Sequence, residues 1–305
     1  EDSLMDDFEN MEEVTMIEND IETTVSEYRN KKTGRKFTVT ISNIPVESIT
    51  KTKEEADKIF KLNHPTIERL FGFSLKDPKN QQNPTMISEY YPFKTLKEII
   101  KKESQGNHNI EWTNTKKLIN IYGIAFGMKY LHSHGILHPT LNPKNIHIDS
   151  NYQPKLSGIL EFKNLQTFSK FTSVGIDENY FYYSLEYLRG RNYCTEKSDV
   201  YSFAVVVYEI LTNENPYKQS IIKESTDSTF EFVSKKEQGK YKLVFDKNIP
   251  VAYQKLIKIC MALNQDERPS FDSVVEKLGN DSSFILDDVD EDEFSKYKQF
   301  IQNYK

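Results

Sequence analysis

Two cysteines, six histidines and an uneven scatter of carboxylates are the groups this chain could use for chemistry. Cys194 and Cys260 lack ligand-like spacing, which argues against a zinc site or disulfide framework and for a reducing compartment. Chemistry on a phosphate would call for glycines that let backbone N–H groups approach the anion. The first glycine of the chain is Gly34. Before it, Glu18, Asp20 and Glu22 crowd the stretch Ile17–Val25 and would repel a phosphate. The polar words left are His138-Pro-Thr-Leu-Asn-Pro-Lys-Asn145, Lys155-Leu-Ser-Gly158 and Asp266-Glu-Arg-Pro-Ser270.

The elements that must position these words can be read from periodicity. The 305 residues are 37% hydrophobic with a mean hydropathy of -0.65, which fits a globular protein. The longest apolar stretch, Phe203 to Tyr208, is far too short to span a bilayer, and no secretory leader opens the chain. Opening on Glu1 suggests a trimmed fragment. Residues 1–22 hold ten acids and no Lys or Arg, and residues 281–305 hold seven acids against three lysines. The body between them is left at about +8. Strands are expected from Val14 to Ser42 around a polar tip at Asn30–Gly34, and again at Ile67–Phe73 and Thr85–Tyr90. Helices are expected at 50–62, 96–102, 115–132, 198–212, 250–262 and 270–279. A strand-rich patch at 136–162 interrupts them. In the tail, Phe294, Tyr297, Ile301 and Tyr304 share one helical face, which either docks on the body or meets a neighbouring domain.

In this order the words resemble the protein kinase domain over residues 14–279, with wording nearest the tyrosine-kinase-like group. Leu62-Asn-His-Pro-Thr-Ile67 is similar to the segment after helix C, and Ser88-Glu-Tyr-Tyr91 to the gatekeeper and hinge. Tyr130–His138 leads into the catalytic loop, Leu185-Glu186 resembles the end of Ala-Pro-Glu, and Ser198–Phe203 the start of helix F. The fold implied is α+β and bilobal, with a small antiparallel-sheet N-lobe carrying helix C and a larger helical C-lobe. The divisions implied are an acidic segment at 1–13, the N-lobe at 14–90, the C-lobe at 91–279 and an acidic tail with an amphipathic helix at 280–305.

Against the family pattern several positions differ. Thr40 stands for the strand-three lysine, Glu55 remains as that lysine's partner, and Lys36 is a weak substitute cation. Thr140 stands for the catalytic aspartate, Asn142 for the lysine that contacts the transferring phosphate, and Gly158 for the metal-binding aspartate, while Asn145 is kept. The vestigial adenine pocket would comprise Val25, Thr38, Ser88, Glu89, Tyr91 and His147, with Ser88 leaving room behind it. Glu186, Arg268 and Asp199 match the residues that lock the large lobe and brace the catalytic loop. Ser169, Thr172 and Ser173 fall in the activation-segment equivalent, but Pro139 replaces the arginine that would receive a phosphate, so no phospho-switch is expected.

These readings together imply a pseudokinase: not an enzyme, without the lysine and both aspartates, acting as a scaffold or allosteric partner in signalling. The alternative is a weak or atypical ATP-dependent serine/threonine protein kinase. No cofactor is expected; ATP would be held at most weakly through the hinge, and magnesium lacks an anchor. The expected partner is a protein, an active kinase or its substrate, with no nucleic acid and no membrane insertion, in the cytoplasm.

Overall fold

The computed structural model describes residues 10–19, 23–43, 49–91, 95–108, 111–160, 178–189, 194–217 and 229–304. Asp20, Glu22, Ser169, Thr172 and Ser173 lie outside them. By contact density residues 1–63, 67–92 and 160–170 form one compact unit, and residues 64–66, 93–159 and 171–305 a second.

Among the described residues the first unit is a five-stranded antiparallel sheet with one helix. Strands β1 (Met11–Asn19), β2 (Thr23–Asn30), β3 (Lys36–Ser42), β4 (Leu70–Ser74) and β5 (Thr85–Glu89) lie in the order β1-β2-β3-β5-β4. Helix α1 spans Ile49–Ile59. Alternation along β3 sorts the two faces. Phe37 and Val39 join Met11, Tyr28 and Ile87 in a core against which Ile41 and Phe71 pack. Burying a side chain of this size stabilises by about 1.5–3 kcal/mol. The opposite face presents Thr38 and Thr40, in register with Glu27 and Val25 on β2 and with Ser88 and Met86 on β5.

Boundaries differ from the periodicity in three places. β1 starts at Met11, inside the acidic stretch, because Met11 pairs with Asn30 and closes the core. α1 ends at Ile59, and Leu62 is buried from the loop beyond it. β4 starts only at Leu70, which lies opposite Ser88, with the Glu89 N–H donating to the Arg69 carbonyl at 2.9 Å just before it, where β5 ends.

The second unit is helical, with a two-stranded ribbon of β6 (Ile146–Ile148) and β7 (Pro154–Leu156). Its described helices are α2 (Leu96–Ser104), α3 (Asn114–Ser133), α4 (Leu185–Arg189), α5 (Glu196–Thr212), α6 (Thr229–Glu237), α7 (Val251–Cys260), α8 (Phe271–Asn280) and α9 (Glu291–Gln302). Helix starts are capped as side-chain oxygens at Thr95, Thr113, Thr195, Ser270 and Asp290 accept orphan N–H groups. The first turn of α9 also carries Glu291, Asp292 and Glu293, which complement the helix dipole. α3 and α5 are buried almost all round, as their near-continuous apolar text requires.

The tail helix docks within this unit. Phe294, Tyr297 and Ile301 are buried, and Phe294 meets Tyr122 of α3 edge-on at 5.6 Å. Tyr304, expected on the same face, is 42% exposed because the helix ends at Gln302. Gln302 donates to the Tyr122 hydroxyl at 2.7 Å, and Lys116 pairs with Glu293. The His64 ring stacks on Tyr130 at 4.7 Å and places Nδ1 2.7 Å from the Thr66 hydroxyl and Nε2 3.1 Å from the Ile301 carbonyl. Burial holds His64 neutral by lowering its pKa to about 4, so Nε2–H donates to the carbonyl. Gly123 permits the close approach: a Cβ there would lie 2.2 Å from the Tyr297 hydroxyl and 2.7 Å from Pro154. Gly123→Ala is therefore expected to cost about 1–3 kcal/mol in denaturant unfolding. Adding Tyr297→Phe, which removes the obstructing hydroxyl, should recover part of that loss, and an additive double variant would refute this account of the contact.

Candidate active site

The word His138–Asn145 follows α3 through a turn at Gly135, whose φ of +68 suits a residue without Cβ. Asp199, in the first turn of α5, fixes it. The buried carboxylate accepts the backbone N–H of His138 at 3.0 Å and meets His132 Nε2 at 2.8 Å, and the Cys194 thiol donates to it at 3.3 Å. Burial raises the Asp199 pKa even against these donors. His138 is itself fully buried and held neutral, its pKa lowered to about 4 by desolvation.

Thr140, Asn142, Asn145 and Gly158 converge as one neutral network. The Asn142 side chain caps the short turn at 143–145, accepting N–H from Lys144 at 2.8 Å and Asn145 at 3.3 Å. Its amide donates to the Thr140 carbonyl at 3.0 Å. Asn145 donates to that carbonyl at 2.8 Å and to the Thr140 hydroxyl at 3.0 Å. The Thr140 hydroxyl in turn donates to the Gly158 carbonyl at 3.3 Å. Gly158 has φ +69, and a Cβ added there would come within 2.8 Å of the Asn145 side chain. The amide of Asn145 thus fills the space that a side chain at 158 would need. His147 sits on β6, its pKa also lowered to about 4 by burial, and its strand bridges Thr95. The word supplies no carboxylate to a magnesium ion, so these residues do not fit the family's metal arrangement.

Frame residues surround the network. Arg268 forks onto Glu186 at 2.5 and 3.1 Å and also donates to the carbonyls of Ala262 and Lys197. Burial alone would raise the Glu186 pKa, but the hydrogen bonds and charge of Arg268 outweigh it and leave it lowered. Phe181 and Tyr182 are buried, so part of the aromatic run 180–183 is packing. Tyr182 donates to Glu209 at 2.9 Å, and burial lifts the Glu209 pKa to about 7. Lys236 donates to the Tyr183 carbonyl from between the rings of Tyr201 and Tyr217.

In the first unit the polar sheet face gathers the other sequence-derived positions. Val25 lies opposite Thr40, and Thr38 opposite Ser88. The Thr38 hydroxyl donates to the Glu89 carbonyl at 3.3 Å. The Glu89 carboxylate accepts the Tyr91 hydroxyl at 2.8 Å. Glu55 lies half-buried on α1 and forms no ion pair among the described residues. Lys36 does not serve as a substitute cation, because it pairs with Glu27 at 2.7 Å and lies over Tyr90. Nor is the space behind Ser88 open: Glu68, 7% exposed, bonds to Ser88. Desolvation raises the Glu68 pKa to about 8. Sequence reading missed Glu68, because an acid in strand-like text reads as a solvated face.

The family model for protein tyrosine and serine/threonine kinases matches residues 21–278. The chain belongs to that family. It is 26% identical over 270 residues to human receptor-interacting serine/threonine-protein kinase 1, covering 82% of this chain and 37% of that protein. It is 30% identical over 231 residues to probable serine/threonine-protein kinase drkC of Dictyostelium discoideum, covering 74% and 28%. To cysteine-rich receptor-like protein kinase 6 of Oryza sativa it is 35% identical over 173 residues, covering 54% and 23%. The chain spans well under half the length of the curated relatives it matches.

These findings confirm the bilobal α+β kinase fold and overturn the pseudokinase expectation. The relatives are named serine/threonine-protein kinases, and the match runs through both units without setting this chain apart as inactive. The expectation failed because it took substituted side chains as a measure of rate. Phosphoryl transfer rests mostly on positioning and electrostatics, which a list of substitutions does not measure. Among the described residues no helix is long and apolar enough to cross a membrane.

Two measurements check the frame. Arg268→Ala should cost about 3–5 kcal/mol, since it strands the Glu186 carboxylate in a partly buried site. Glu68 has a folded pKa of about 8 against an ordinary 4.5, so its burial costs nothing at low pH and progressively more as pH rises toward 8. Glu68→Gln should therefore raise the thermal midpoint near pH 8 and leave it almost unchanged near about pH 5. An equal shift at both would show that Glu68 does not titrate in this way.

Proposed function

We propose that this chain is a weak, atypical ATP-dependent protein kinase that phosphorylates serine or threonine hydroxyls on a protein substrate. The observation that carries the reading is the kinase-family match over residues 21–278. The names of the relatives support the class of acceptor.

The transition state of phosphoryl transfer is loose, so the protein has little covalent work to do. The loop held by Asp199 fixes Thr140 at one place, and a threonine hydroxyl there orients an acceptor hydroxyl where an aspartate would also take its proton. A missing general base typically costs about 10²–10⁴ in rate, which makes the activity slow without removing the positioning. ATP is the proposed phosphate donor, its base met by the backbone at Glu89. No step is assigned to a metal ion. The cytoplasm is the proposed setting, in keeping with Cys194 and Cys260 both lying outside any disulfide.

The test is transfer of label from γ-phosphate-labelled ATP to serine/threonine peptides by the full chain. Incorporation above a heat-inactivated control is expected, and Thr140→Asp should raise it by about 10²-fold. Absence of label from both proteins, with either magnesium or manganese, would overturn the proposal.

A further inference from the structure

The first unit carries a charged surface that phosphoryl transfer does not use. Residues 29–36 include Arg29, Lys31, Lys32, Arg35 and Lys36 and no acid. Arg29 is spent on Glu12 at 3.3 Å and Lys36 on Glu27 at 2.7 Å. Lys31 and Lys32 ride the hairpin tip, fixed where the Asn30 side chain accepts N–H from Lys32 at 3.0 Å and Thr33 at 2.9 Å.

Arg35 is held differently. Its guanidinium lies 5.1 Å from the Phe37 ring centre and 4.6 Å from that of Phe71. Arg69 lies 5.5 Å from the same Phe71 ring. The register accounts for this meeting: β3 and β4 both run antiparallel to β5 and so enter the sheet at the end where β5 finishes. Arg35 and Arg69 are the residues immediately before those two strands. Both are exposed, and among the described residues neither is paired with a carboxylate.

We propose that Arg35 and Arg69, sharing the Phe71 ring, form a docking site for an acidic peptide segment of a protein partner. A guanidinium stacked on a ring keeps its N–H edges free, and its planar fork matches a carboxylate. Stacking also orders both side chains beforehand, which lowers the entropic cost of binding. Alternate residues of an extended peptide lie about 7 Å apart on one face, so two acids spaced by one residue can reach both forks. Lys31 and Lys32 add long-range attraction. Arg29 and Lys36 beside them are neutralised by Glu12 and Glu27, so the positive patch is short, which suits a peptide segment better than a continuous polyanion such as duplex DNA or an anionic membrane.

The test is fluorescence anisotropy with a labelled peptide alternating glutamate and alanine, its glutamine counterpart, and the full chain. Binding of the glutamate peptide is expected, with the glutamine peptide and the R35A/R69A variant each weaker by about tenfold or more. Arg69→Lys keeps the charge and loses the fork, and should weaken binding by a smaller factor without disturbing the fold. High salt should weaken binding throughout. Equal binding of the two peptides would overturn the proposal, as would wild-type affinity in R35A/R69A. So would a duplex oligonucleotide or phosphatidylserine vesicle that binds more tightly than the peptide and loses that binding in the same variant.

Discussion

The second unit is organised around one buried carboxylate. Asp199 is almost wholly removed from water, and taking a charge out of water is affordable only with partners in place. It has three: the His138 backbone N–H, His132 and the Cys194 thiol. They come from the loop before Thr140, from the last turn of α3 and from the residue two before α5. One side chain therefore ties the first turn of the central buried helix to the end of α3 and to the loop that follows. Arg268 performs a similar service beside the same first turn of α5, holding Glu186 while donating to the carbonyls of Ala262 and Lys197. Because both groups are buried, neither site can relax cheaply, and Asp199 holds the His138–Asn145 loop by its first backbone N–H.

Within that fixed loop the polar side chains satisfy one another. Asn142 caps the turn that carries Asn145, and Asn145 bonds to Thr140 and fills the space facing Gly158. The side chains of the loop thus form one neutral network. Such a network keeps the backbone in position without carboxylates, and position is the larger part of what phosphoryl transfer asks of a protein.

The first unit divides its labour between the faces of one sheet. The apolar face assembles Phe37, Val39 and Ile87 into a core, and its margin at Phe71 orders two arginines. The polar face carries Thr38, Thr40 and Ser88, backed by the protonatable Glu68. The same alternation that hides the hydrophobic residues brings these hydroxyls together, so the character of the polar face follows from register.

Much of this was legible from residue order alone. Periodicity located α3, α5 and the strands, since an amphipathic or continuous apolar pattern depends only on spacing. The words around His138, Asp199 and Arg268 carried the family, because short polar motifs keep their spacing wherever the backbone must hold them. The tertiary structure alone decided what lies far apart in sequence. Glu68 became a buried acid only when β5 brought Ser88 beside it, and Gly123 became a contact only when Tyr297 arrived from the tail helix. Arg35 and Arg69 met only because two strands enter one sheet from the same end. Sequence records local spacing and chemical type. Partners across long separations, and the burial that shifts a pKa, come into being only when the chain packs.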